Sequence, residues 1–163
     1  MIFLSIFEEY TEYICDKFIE KLGDKGVSVK CASSTRLERL TDPKQAPYIL
    51  STKITNLQPQ LSTTIGTIEE MNLEALFKLE IRKKDGDVNL PLYCECLVNL
   101  LREPMKVTVE NEDLINRTKE LLGLDLTGAT YNVKLDRVSV STEDNTSAYD
   151  QLVVITQYTV SKY

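Results

Sequence analysis

A chain of 163 residues has the length of one domain, and with 42% hydrophobic and 27% charged residues it falls outside the disordered, collagen-like and membrane-spanning classes. Nineteen Lys and Arg against twenty-five Asp and Glu leave a net charge of −6. That sign opposes a general binder of nucleic acid or of anionic membranes.

Missing residues narrow the chemistry further. The sequence has no histidine, so Ser-His-Asp, Cys-His and HExxH schemes are excluded, as is the commonest transition-metal ligand. Neither GxxxxGKS/T nor GxGxxG occurs and the six glycines are scattered, which leaves no familiar phosphate cradle. The four cysteines, Cys15, Cys31, Cys94 and Cys96, form one CxC pair and two singletons, not the spacing of a zinc site. The opening residues have no positive n-region and are interrupted by Glu8, Glu9 and Glu12. The cysteines therefore read as reduced, small apolar side chains of a cytosolic chain. No metal and no cofactor is expected.

In residues 2–22, Phe3, Phe7, Tyr10, Ile14, Phe18 and Leu22 recur by three and four, which predicts an amphipathic helix stopped by Gly23 and Gly26. Five of the twelve aromatics (Phe3, Phe7, Tyr10, Tyr13 and Phe18) lie on this helix and are expected to supply much of the core. Residues 27–31 read as a short strand. The window 24–56 carries six basic against three acidic residues, hence +3 within an acidic chain. Its Arg36, Arg39 and Lys44 lie in a polar stretch that reads either as a solvated loop or as an arm for an acidic partner. Only Tyr48 in this window offers a stacking platform, so direct nucleic-acid binding is not expected.

Residues 48–56 are rich in β-branched side chains and predict a strand, whereas 57–71, with Pro59 and Gly66, reads as a loop or a loosely held edge strand. Residues 73–82 carry the clearest period-two pattern: Ala75, Phe77, Leu79 and Ile81 alternate with charged residues, and only Leu76 breaks the order. Lys83 to Asp87 supply a turn. Pro91 then opens a predicted helix over 91–102, for which a strand placing Leu92, Cys94, Cys96 and Val98 together is the alternative. After an extended MKVTVE, Asn111 is positioned to cap a helix through Leu122, with Glu112 and Asp113 in its first turn and Gly123 at its end.

Residues 130–142 and 150–163 alternate as two strands around the acidic loop of Glu143, Asp144 and Asp150, with a slip near Asp136 that suggests a bulge. The whole reads as one α+β domain over 1–163: a mainly antiparallel sheet packed against two or three helices, closed by a long C-terminal β-hairpin. Carboxylates are the best catalytic candidates, yet Asp85 and Asp87, Glu143 to Asp150, and Glu69 with Glu70 all read more simply as turn and surface residues. No enzymatic turnover is expected.

The order of an N-terminal amphipathic helix, a strand pair, the charged strand ALFKLEIRKK, the helix PLYCECLVNLLRE and the closing hairpin ending in DQLVVITQYTVSKY resembles the tail terminator and tail-completion proteins of long-tailed bacteriophages. The resemblance implies a structural virion protein. It would assemble in the host cytoplasm as a six-membered ring that caps the tail tube and meets the neck or connector proteins. The region 32–56 and the loop 143–150 are longer than a minimal ring protein requires. Charge alone pairs Arg36, Arg39 and Lys44 of one copy with Glu143, Asp144 or Asp150 of the next. A neck, head-completion or baseplate adaptor, or an interaction module outside phages, is the alternative.

Overall fold

The computed structural model describes residues 2–33, 48–61, 68–82, 89–142 and 149–162, and its elements are α1 (Ile2–Gly23), β1 (Val29–Ser33), β2 (Tyr48–Leu61), β3 (Ile68–Arg82), α2 (Leu90–Arg102), β4 (Met105–Thr108), α3 (Glu112–Leu122), β5 (Thr130–Thr142) and β6 (Tyr149–Lys162). The strands form one six-stranded sheet in the order β1-β2-β3-β6-β5-β4. All neighbours are antiparallel except β1 and β2, which run parallel. The expected α+β class, the dominance of antiparallel pairing and the closing hairpin are all present.

Helix α1 forms where its sequence says it should. Phe3, Ile6, Phe7, Tyr10, Ile14, Phe18 and Leu22 are all buried on one face. The helix runs through Gly23, and the reversal falls on Gly26 at φ +76°, with Val27 N–H closing back onto the Leu22 carbonyl at 3.0 Å. Tyr13 departs from expectation. It is 42% exposed and faces solvent, with Lys17 Nζ 5.7 Å from its ring centroid. It sits three residues from Tyr10, but the step from Phe7 carries it round to the wet face.

The helix-facing side of the sheet is set by β3, where Met71, Leu73, Ala75, Phe77, Leu79 and Ile81 are buried in strict alternation. Registration extends that side across the sheet to Tyr48 and Leu50 on β2, to Val154, Thr156, Tyr158 and Val160 on β6, and to Tyr131 and Val133 on β5. Aromatic contacts tie the helices down: Phe7 to Tyr158 at 5.0 Å, Phe3 to Tyr131 at 5.6 Å, and Tyr93 of α2 to Tyr48 at 5.2 Å, each edge-on.

Residues 91–102 are helical, as the first of the two sequence readings has it. Pro91 sits in the first turn, and Leu90, Cys94, Leu97, Val98 and Leu101 are buried. Helix α3 is capped as anticipated: Leu114 N–H donates to Asn111 Oδ1 at 3.2 Å, and Gly123 takes φ +68° at the other end.

Two stretches sharpen the sequence reading. Residues 57–61 and 68–71 are strand, the second of the two readings of 57–71. They pair with each other and lengthen the β2–β3 hairpin, although Gln58, Pro59 and Glu70 are exposed and leave no alternation to detect. The extended MKVTVE contributes a sixth strand, β4, which pairs with Thr130 to Val133.

Candidate interaction surface

Helices cover one side of the sheet. Its opposite side carries Lys53, Asn56, Gln58, Asn72, Glu74, Lys78, Glu80, Lys134, Arg137, Gln157 and Thr159, a polar surface of mixed sign. An apolar stripe crosses it where Leu76 registers with Ile155, which is 41% exposed. Ile49 and Val153 share this side and are buried.

Two irregularities shape the surface. The register skips Thr55 on β2, between the pairs Ile54–Ala75 and Asn56–Glu74, and it skips Asp136 on β5, between Leu135–Tyr158 and Arg137–Gln157. Because Glu74 itself pairs with Gln157, both bulges fall on one line across the sheet, one on each side of the central β3–β6 pair. A bulge bends its strand and adds twist, so the two act on the same line of the sheet. The bulge anticipated near Asp136 is therefore present, and it has a counterpart on β2 that the sequence did not announce.

Side chains knit the bend. Gln157 Nε2 donates to Glu74 Oε1 at 3.2 Å, and the Thr55 hydroxyl donates to the Glu74 carbonyl at 3.3 Å. The Thr159 hydroxyl lies 3.0 Å from Asn72 Oδ1 and 2.5 Å from Asp136 Oδ2. It has one proton, and the carboxylate is the stronger acceptor. On the helix side of the same line the buried Thr156 hydroxyl donates to the Ala75 carbonyl at 2.8 Å. A recess of about 210 Å³ lined by Asn56, Gln58, Asn72, Glu74, Asp136 and Gln157 lies along the bend. A second of about 380 Å³ involves Glu70, Pro104, Asn132, Lys134, Asp136 and Thr159. Both are open to solvent. Glu70, read from sequence as a surface residue, borders the second.

The margins of the sheet are uneven. β1 covers β2 only from Tyr48 to Thr52, and β4 covers β5 only from Thr130 to Val133. Among the described residues no strand pairs with the outer side of β2 beyond Thr52 or of β5 beyond Val133. Pro59, which has no N–H to give, lies on the first of these open margins, the position a strand proline requires. Val140, 52% exposed, lies on the second.

Of the residues expected to carry inter-subunit contacts, Arg36, Arg39, Lys44, Glu143 and Asp144 lie outside the described residues, as do Asp85 and Asp87. Asp150 belongs to strand β6, where it registers with Ile81 and is half-buried. Among the described residues no group of three or more Cys, Asp or Glu is placed to hold a metal ion, and no helix is long and apolar enough to cross a membrane. The cysteines are not uniformly interior: Cys94 is buried, and Cys15, Cys31 and Cys96 are half-buried. Comparison with known protein families and with curated proteins finds no match.

Proposed function

We propose that this chain is a structural subunit of a phage-type tail, a terminator or completion protein that forms a ring at the head-proximal end of the tail tube, and that it acts by binding other chains without catalytic turnover. The observation that carries this reading is the pair of open margins, one on β2 beyond Thr52 and one on β5 beyond Val133, at opposite borders of the same sheet. A strand border with unsatisfied N–H and C=O groups needs a cover. Two unlike borders on opposite sides of a protomer suit a head-to-tail contact, which closes into a ring when the rotation allows. The six-membered stoichiometry comes from the family resemblance, as do the tube and the neck or connector as partners, assembly in the host cytoplasm and residence in the virion. Arg36, Arg39 and Lys44 remain the proposed positive arm, facing Glu143, Asp144 or Asp150 of the next copy. A neck, head-completion or baseplate adaptor would use the same margins against a different chain.

The mass of the full chain tests the proposal, measured alone and with tail tubes assembled from the genes beside its own. Six copies of 18.6 kDa give a species of about 112 kDa, free in solution or seated on tube ends. Reversing charge with Arg36→Glu and Arg39→Glu should weaken assembly at low salt. A chain of 18.6 kDa that neither self-associates nor binds tube ends would sink the ring.

A further inference from the structure

Two cysteines 16 positions apart in sequence are brought together by the packing of α1 on β1. Cys15 lies on the flank of α1 that it shares with Thr11, Phe18 and Leu22, one step round from the centre of the buried stripe. Cys31 registers with Leu50, which is fully buried, so its side chain is on the helix-facing side of the sheet. Both side chains pack against the margin of the same apolar core, both are half-buried, and the two thiols are close enough to interact. Cys94 and Cys96 belong to α2.

The geometry points to Cys15 and Cys31 as a redox site: a dithiol that closes to an intramolecular disulfide under oxidation by a peroxide, fastening the marginal strand β1 to α1. This inference is independent of the role in assembly. The neighbouring Cys15 thiol, then burial and the charge of Asp16, push the Cys31 thiol well above the usual range. The overall change is the same whichever sulfur begins it. One thiol, as its thiolate, attacks hydrogen peroxide, giving a sulfenic acid and hydroxide. The other then attacks that sulfur, and the sulfenic oxygen departs with the second thiol's proton as water. In sum, two thiols and one peroxide give one disulfide and two waters, each sulfur losing one electron. A thiol reductant reverses the step by exchange.

β1 is the right element to fasten. It has five residues and, among the described residues, one strand neighbour, and residues 34–47 follow it directly. The bond would close a short loop containing the end of α1 and the Gly26 turn. Loops of that size restrict the unfolded chain enough to raise the melting temperature of a domain this large by about 6–12 °C.

The test is peptide mapping of the full chain, treated with hydrogen peroxide and digested with trypsin without reduction. Cleavage after Lys17, Lys30 and Arg36 separates Cys15 on residues 1–17 from Cys31 on residues 31–36, with Cys94 and Cys96 together on 85–102. The expected product joins 1–17 to 31–36, lighter than the two peptides by two hydrogens. It should come from a monomer on a non-reducing gel, disappear with dithiothreitol and be absent from Cys31→Ser. The oxidised wild-type chain should melt higher than the reduced one. The inference is overturned if the thiols are consumed without that linked pair, if Cys15 or Cys31 is found joined to 85–102, or if the bond lies between two chains. The wild-type map decides the matter even if a serine variant folds poorly.

Discussion

The hydroxyls of Tyr10 on α1 and Tyr158 on β6 meet at 3.2 Å in the core, 148 positions apart in sequence. The Tyr10 hydroxyl also lies 3.4 Å from the carbonyl of Leu101, in the last turn of α2, where helix carbonyls lack partners of their own. One polar contact thus joins α1, α2 and the sheet at the point where the aromatic rings of Phe7, Tyr10 and Tyr158 converge.

A double-mutant cycle should measure that junction. Tyr10→Phe and Tyr158→Phe each leave a buried hydroxyl or carbonyl short of a partner, and each should cost about 1–2 kcal/mol in urea unfolding. The double variant should cost less than the two together by about 0.5–1 kcal/mol, since the second change removes a group already orphaned by the first. Strict additivity would show that the hydroxyls do not interact.

The same pair sets an alkaline limit. Burial pushes the Tyr10 hydroxyl up to about 12, and burial together with Tyr10 pushes Tyr158 higher still. In the unfolded chain both ionise near the ordinary value of about 10. Above that pH the unfolded state holds fewer protons than the native state, so stability falls as pH rises. The loss should begin near pH 10 and steepen toward about pH 12, and the doubly substituted Phe chain should show a shallower decline. Parallel slopes for the two proteins would refute the assignment.

Glu9 works in the opposite range. Burial on α1, then the neighbouring carboxylates of Glu12 and Glu110, raise its carboxyl above the usual value of 4.5. Its native pKa is the higher one, so the protonated form favours folding at acid pH and that contribution is lost as pH rises through it. Glu9→Gln should melt higher than wild type at neutral pH, by about 1–2 °C once solvent screening is allowed for. The gap should close below pH 4.5, where both folded and unfolded carboxyls are protonated. A constant difference across the titration would assign the effect to packing instead.

Much of the architecture was legible because local rules and burial agree in it. The stripe of Phe3, Phe7, Tyr10, Ile14 and Phe18, the alternation of Ala75 to Ile81, and the caps Asn111 and Gly123 each announce an element whose buried face is continuous. Residues 57–61 gave no such signal, because Gln58 and Pro59 are exposed and their pairing is decided by the partner strand. Strand β4 is four residues long with a mixed burial pattern, too short for a period to register. The alignment of Thr55 with Asp136 was illegible for a different reason: it depends on the β2–β3, β3–β6 and β5–β6 registers together. The meeting of Cys15 with Cys31 likewise arises from tertiary packing, which spacing in the chain does not encode.

The extra residue at Asp136 also fixes how the far arm of the closing hairpin can change. Up to Leu135 the odd-numbered residues of β5 face the helices; from Val138 onward the even-numbered ones do. Deleting Asp136 itself would only remove the bulge and leave Val138 on the helix side, whereas deleting Ser139 would turn the residues beyond it inside out, sending Val140 to the polar side and Ser141 beneath the helices. Lengthening or trimming beyond that point is tolerable only in steps of two.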